Sequence, residues 1–400
     1  MIYDVAVVGG GPSGSQAAYR LTHSGYSVLI LEQKLDVRQA VCCTGIVSEE
    51  CLTEFDIDPS LAYHHAKSAS LCAPSGKRFR LERDCPQAAV LNRPAFNDFM
   101  ARRARERGAD YRIGTHVTGV RVDGDGVLVD ATTGGKKELF QAKAVVLATG
   151  HDSILSHELG LGAPGNMVVG AQAVVEAREI TEVEVYFGRE IAPAFFAWMV
   201  PTSPDRALVG LLTRTRPRER LERFLTFLEK ERRICLPAAN FTFSGLPLKA
   251  MRKSYGDRLL VVGTAAGLVK PITGGGIYFG LLSADIAADV LGQAMERGDL
   301  SARALSLFQR RWKKKLGAEL RGGSWGRAVF ERLNDKQLDR AFEIVGRPGR
   351  LRRLLSSEAI SFDWHSRVIA DLLREQTLAK LIKGIDVPLA GKNRTRSDLS

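Results

Sequence analysis

The 400-residue sequence lacks most features that would place it in a membrane, a secreted scaffold or a metalloenzyme. No uncharged apolar run reaches the roughly 18 residues of a spanning helix. The six cysteines, at 42, 43, 51, 72, 85 and 235, follow no regular spacing. That excludes a disulfide framework and points to free thiols in a reducing compartment. The opening "MIYDVAVVGGG" ends too soon in glycine for a secretory leader, so a cytoplasmic location is expected. Histidine occurs seven times, as the adjacent His64 and His65 and as scattered single residues. No pair stands at metal-binding helical spacing, so no metal is expected. A Walker phosphate loop is missing. Aromatic residues make up only 7% of the chain, so three of them within residues 195–198 stand out.

Charge is abundant but uneven. The net charge is +12, and residues 301–400 hold 22 Lys/Arg against 11 Asp/Glu, a balance of 22 − 11 = +11. Such a basic end suits an anionic membrane surface or an acidic partner, or is simply a solvated helical face. The runs "RRWKKK" (310–315) and "RPGRLRRLL" (347–355), with Leu351, Leu354 and Leu355 at helical spacing, suit an interfacial helix. Peripheral membrane association is therefore expected. Nucleic acid is not an expected partner.

The first thirty-three residues are the most legible. "YDVAVVGG" has the continuous apolar character of a buried parallel strand. Gly9, Gly11 and Gly14 form G-x-G-x-x-G around Ser13, and helical spacing then continues to Gly25. A second buried strand, "YSVLILEQ", ends in Glu32 and Gln33. Gly9 permits a tight turn, Gly11 lets backbone approach a pyrophosphate, and Gly14 lets helix and strand pack closely. The helix N-terminus offers free N–H groups to the phosphates. Glu32 falls where a carboxylate meets ribose hydroxyls. A dinucleotide is the expected ligand.

Later segments narrow the choice. "AKAVVLATG" (142–150) is another buried strand. "DRLLVVGTAAGLVKPITGGGIYFGLLSADIAADVL" (257–291) supplies a strand, a Gly-rich loop and a long helix starting at Gly274–Gly276. This order resembles the FAD-dependent oxidoreductases of the hydroxybenzoate-hydroxylase type. The resemblance implies that Thr264, Gly275, Gly276 and Ile277 face the cofactor. The group usually carries Asp where this chain has Thr264, whose hydroxyl still hydrogen-bonds but without charge. It also implies a cofactor contact from Arg93, at the head of "RPAFNDFMARRARE" (93–106), and adenine proximity for Val117. "VCCTGI", holding Cys43, Thr44 and Gly45, and "PAFFAWMVP" (193–201) are similar to stretches of the geranylgeranyl reductases. Those enzymes reduce isolated double bonds of prenyl chains. In the second stretch Phe196 stands for a Tyr and Val200 for a Phe, while Pro193, Trp198 and Pro201 hold their places. Phe196, Trp198 and Pro201 are the expected substrate contacts, in a strand that either lines a lipid tunnel or only packs a core.

An isolated alkene has no carbonyl to polarise. Catalysis then means positioning it for hydride from reduced flavin and supplying a proton. Cys43 is the candidate proton donor or a packing residue; Cys42 is expected to point away, as neighbours do in extended backbone. No second dinucleotide fingerprint is present, so electrons are expected from docked NAD(P)H or a ferredoxin-like donor. Two other functions remain open: an oxygen-activating monooxygenase or halogenase of the same fold, and a non-catalytic prenyl-binding escort.

The expected fold class is α/β. A Rossmann-like FAD-binding domain comes from 1–64, 90–165 and 250–298. A mainly antiparallel β substrate domain comes from 65–89 and 166–249, followed by a basic helical region at 299–400.

Overall fold

A computed structural model describes residues 1–39, 41–236, 240–346, 362–364 and 366. The whole segment 347–355, with Leu351, Leu354 and Leu355, lies outside the described residues. Two eight-stranded sheets and one three-stranded sheet make up the β structure among the described residues.

The first sheet is built on parallel strands in the spatial order Asp110–Ile113, Val28–Glu32, Ile2–Val8, Lys136–Leu147, Leu259–Val261. Val5–Val8 pair with Val28–Leu31 on one side and with Ala144–Leu147 on the other. All five residues of Val28–Glu32 are buried, as the unbroken apolar runs require of strands covered on both faces. Helices Pro12–His23, Arg93–Glu106 and Ile277–Glu296 pack together over this sheet. A meander of Thr115–Asp123, Gly126–Thr133 and Lys136–Leu147 folds back onto Val28–Glu32.

The second sheet is antiparallel except for one parallel pair. Its order runs Ile234–Cys235, Gly165–Ala177, Arg206–Thr213, Ala197–Ser203, Val183–Tyr186, Ser68–Cys72, Arg78–Glu82. Thr242–Lys249 also pairs with Gly165–Ala177. The amphipathic helix Pro217–Lys230 covers one face with buried Leu221, Phe224, Leu225 and Leu228. Tyr186 stacks edge-on against Phe224 from that face, at 5.2 Å between ring centroids. Beside it the buried Glu184 accepts hydrogen bonds from Tyr186, Arg78 and Arg233. The segment 166–249 is thus not purely β. The small third sheet joins Ile46–Ser48, Ala88–Leu91 and Ala62–Ala66.

The long helix Ala302–Phe330 bridges the two halves. Its first part buries Leu305, Phe308, Trp312 and Leu316 in the core of the first sheet. Trp312 donates to Ser254 at 3.1 Å. Helix Asp335–Val345 follows, opened by a capping box between Asn334 and Gln337. Within the long helix, Gly322-Gly323-Ser324-Trp325-Gly326 spells the G-x-S-x-G spacing of a hydrolase elbow. It lies in uninterrupted helix, so it lacks the strand-to-helix turn that exposes such a serine.

Candidate flavin and substrate cavity

The glycine turn is built as its spacing requires. Gly9 has φ +102°, and a side chain there would overlap the Ala148 carbonyl. A Cβ on Gly14 would overlap the Gly9 carbonyl, so helix Pro12–His23 rests directly on the first strand. A Cβ on Gly11 would meet nothing within 4 Å. That open space faces a helix N-terminus that has no side-chain cap, the arrangement that receives a pyrophosphate. Ser13 fills a notch formed by Gly263 and Gly280, where any Cβ would strike its hydroxyl. The start of this helix and that of Ile277–Glu296, also without a side-chain cap, are thereby held together.

Glu32 is buried, and its carboxylate accepts from the Gly10 N–H at 2.6 Å and the Lys34 N–H at 2.9 Å. Those bonds fix the carboxylate at the strand end. Gln33 beside it is exposed. Tyr111, which the sequence did not single out, donates to the Gly10 carbonyl at 2.6 Å. Burial pushes its hydroxyl pKa up to about 12, so it serves as a donor throughout the neutral range. A tyrosine two residues into a short strand gave no signal of this role. Val117 lies buried in the meander opposite Ala131, away from the cavity described next.

A cavity of about 850 Å³ opens where the first sheet meets the second. Pro12, Ser13, Thr264, Gly275, Gly276 and Ile277 border it on one side, with Cys42, Cys43, Thr44 and Arg93. Its floor is the uncovered face of the second sheet, where alternate residues Leu71, Val185, Trp198 and Leu212 point inward. Gly210 stands opposite Trp198, and a Cβ there would lie 2.5 Å from the indole ring. Phe196 and Trp198 lie 6.1 Å apart between ring centroids. Pro201 is a correction to the sequence reading: it is buried in the same strand but does not line the cavity. Past Trp198 the strand no longer lines the cavity, and its pairing shifts register between Pro201 and Ser203.

Arg93 heads helix Arg93–Glu106, which Asn92 caps. Its Nε and Nη1 are buried without a hydrogen-bond partner among the described residues. A buried guanidinium in that state is costly unless a ligand satisfies it. Gly45, at φ +73°, packs against Arg93 and the Leu91 carbonyl with no room for a Cβ. The uncapped helix ends, the open Gly11 and the orphaned Arg93 together fit a dinucleotide cofactor such as FAD.

The two cysteines correct another expectation. Both line the cavity, because the chain bends at Cys42 and residues 41–45 form no strand, so strand alternation does not apply. Cys42 faces the second sheet, with its sulfur 3.3 Å from where a Gly170 Cβ would sit. Burial pushes its thiol pKa up to about 12, against smaller opposing hydrogen bonds from Thr242 and Ser244. The Cys43 sulfur accepts the Gly45 N–H at 3.4 Å.

A further wall went unread in the sequence. Trp325, Gly326, Arg327, Val329 and Phe330, from the second half of helix Ala302–Phe330, close the cavity on another side. Phe362 joins them. Next to it, buried Asp363 forms an ion pair with Lys270 at 2.5 Å, so this late segment sits on the Gly-rich loop. Among the described residues no cluster of three or more His, Cys, Asp or Glu is placed to hold a metal.

The FAD binding domain family model matches residues 2–298. The digeranylgeranylglycerophospholipid reductase of Methanocaldococcus jannaschii is 32% identical over 358 residues, 86% of this chain and 91% of that one. The chain belongs to the geranylgeranyl reductase family of FAD-dependent oxidoreductases. The crystal structure of a geranylgeranyl bacteriochlorophyll reductase-like protein from Thermoplasma acidophilum superposes with a TM-score of 0.85 at 25% identity. It covers 96% of this chain and 98% of its own. The family's α/β fold, FAD binding and reductase class therefore hold for this chain. A p-nitrophenol 4-monooxygenase from Pseudomonas putida matches with a TM-score of 0.71, over 88% of this chain and 96% of its own. At 19% identity it shares the fold alone.

Proposed function

We propose that this reductase saturates isolated carbon–carbon double bonds in the geranylgeranyl or longer prenyl chain of a lipid. The observation that carries the reading is the cavity floor. One face of the second sheet, from Leu81 through Val185 and Trp198 to Leu212, presents apolar side chains to a volume of about 850 Å³ that begins at the flavin-site residues. Ligand cavities of this size and character bury most of a small molecule's surface. The name of the M. jannaschii relative points to the same substrate class.

FAD held there, once reduced by an external two-electron donor, would supply the hydride for one alkene carbon. The chain's own residues do the rest. The floor holds the prenyl chain extended and excludes water. The thiol pair supplies the proton for the other carbon, and Cys42 is better placed for it than Cys43. Its sulfur faces the floor, whereas the Cys43 sulfur is turned towards the Gly45 N–H, whose hydrogen bond it accepts. Electrons reach the flavin from an external NAD(P)H or ferredoxin-like donor.

The prenyl lipid is delivered at a membrane surface. No helix among the described residues is long and apolar enough to cross a membrane. Helix Ala302–Phe330, however, carries eight basic residues and one acidic residue, Glu319, which is buried. Arg303, Arg310, Lys313, Lys314 and Arg321 are exposed on it and make no ion pair among the described residues. Each basic group near an anionic surface contributes about 1 kcal/mol, screened by salt.

Incubating the flavin-loaded enzyme and a chemical reductant with digeranylgeranylglyceryl phosphate in vesicles tests both statements. We expect mass spectrometry to show two hydrogens gained per reduced bond. Binding and turnover should be faster on anionic than on neutral vesicles, with release at high salt. Lipid recovered unreduced, with oxygen consumed instead, would favour a monooxygenase; equal partitioning to both vesicle types would remove the surface role.

A further inference from the structure

Among the residues that helix Ala302–Phe330 lends to the cavity wall, one is charged. Arg327 is 3% exposed. Its guanidinium carbon sits 4.0 Å from the centroid of Phe195 and 5.1 Å from that of Phe330. Its Nε donates to Glu331 at 3.1 Å. Glu331 is also the partner of Arg214, at 2.9 Å. Two guanidinium groups thus share one carboxylate, and one positive charge is left over. Nη2 of Arg327 is buried with no hydrogen-bond partner among the described residues.

An arginine does not escape burial by losing its proton. Desolvation draws the pKa of Arg327 down, yet the group remains a cation that lacks full pairing, which is costly in a dry wall. The aromatic faces of Phe195 and Phe330 offset part of that cost but accept no in-plane hydrogen bond. What remains is a forked donor with surplus charge beside a ligand cavity, a match for the two oxygens of a phosphoryl group. Lys67, at another edge of the cavity, is exposed and has water for its ammonium. Arg327 has no such alternative.

We propose that Arg327 binds the phosphoryl group of the lipid substrate and so sets the register of the prenyl chain along the floor. The inference rests on the prenyl-lipid reading above. With the head held at the helix wall, the distance along Val185, Trp198 and Leu212 decides which double bond arrives beside Cys42.

Equilibrium binding, read from the fluorescence of Trp198 and Trp325 in the cavity, tests this without turnover. The ligands are digeranylgeranylglyceryl phosphate and uncharged digeranylgeranylglycerol in neutral detergent micelles. The wild type is expected to bind the phosphate about ten- to a hundredfold more tightly, the usual span for a hydrogen bond to a charged group. Arg327→Met should bring that ratio close to one, and Lys67→Met should leave it. A ratio retained in Arg327→Met, or lost in Lys67→Met instead, overturns the proposal. If Arg327→Met does not fold, Arg327→Lys keeps the charge and loses the fork; a ratio equal to wild type then overturns it. A parallel titration with NADPH separates the second source of phosphate: weakening there, with the lipid ratio intact, assigns the site to the electron donor and overturns the lipid assignment. Lack of prenyl reduction with the binding ratio as expected would instead count against the proposed activity alone.

Discussion

The first sheet and the second have the same number of strands and treat their side chains in opposite ways. In the first, the strands Val28–Glu32 and Ala144–Leu147 are buried on both faces. In the second, Val183–Tyr186 divides its residues: Glu184 and Tyr186 close onto helix Pro217–Lys230, while Val183 and Val185 line the cavity. An apolar side chain in the first sheet is there for stability. An equally apolar one on the open face of the second lines a cavity instead of a core. Burial alone does not tell the two apart; what covers the residue does.

A single polar substitution should break this comparison most sharply. Val145, fully buried in the first sheet, changed to Asp would bury an unpaired carboxylate at a cost of several kcal/mol. Total stabilities are only about 5–15 kcal/mol, so we expect no folded protein by circular dichroism. Val185→Asn on the cavity face should fold, lose at most a few degrees of melting temperature, and bind the prenyl lipid about tenfold more weakly. Similar melting losses in both variants would make the second face ordinary core.

Next in size is the glycine turn at the edge of the first sheet. Gly11→Val meets open space in the protein, so its apo form should melt like wild type while the visible flavin absorbance is lost. Gly14→Val, which would overlap the Gly9 carbonyl, should lose the fold with the flavin. Flavin retained by Gly11→Val would displace the pyrophosphate from this loop.

The narrowest comparison separates two neighbouring residues, the cysteines. Proton delivery is worth about 10²–10⁴-fold, so Cys42→Ala should slow alkene reduction by that much and Cys43→Ala by less, both with flavin bound. With the Cys42 thiol pKa raised to about 12, the thiol-dependent rate should stay level from neutral pH to about pH 10. The folded state keeps a proton that an unfolded thiol loses near about 8.5, so stability should fall as pH climbs from there towards 12. Cys42→Ala should reduce that slope in melts across the same range, with the buried thiols of Cys51 and Cys72 keeping part of it. The reverse ranking of the two variants would return the role to Cys43.

How much of this was legible followed from how local each signal is. G-x-G-x-x-G works through backbone within six residues, so Gly9, Gly11 and Gly14 could be read with their separate roles. The expectation for Arg93 came from the family resemblance, and the structure adds that its Nε and Nη1 are buried without a partner among the described residues. Cys42 was misread because alternation holds only in extended backbone, and the chain bends there. Pro201 was misread because a motif match says nothing about where a strand leaves a cavity. Tyr111 and Arg327 gave no signal at all. Their partners, Gly10 for one and the cavity wall and Glu331–Arg214 for the other, are brought together only by the finished fold.

Helix Ala302–Phe330 has a consequence for how this chain can vary. Trp312 is set in one core and Arg327 in the wall of the cavity, with Gly323 pressed against Pro271 of the Gly-rich loop between them. Each added residue turns everything downstream by about 100°. One insertion between Trp312 and Gly323 would swing Arg327 and Phe330 out of the wall even though every side chain remained present. In this stretch a change of length should therefore cost the cavity wall more than a substitution at an outward position.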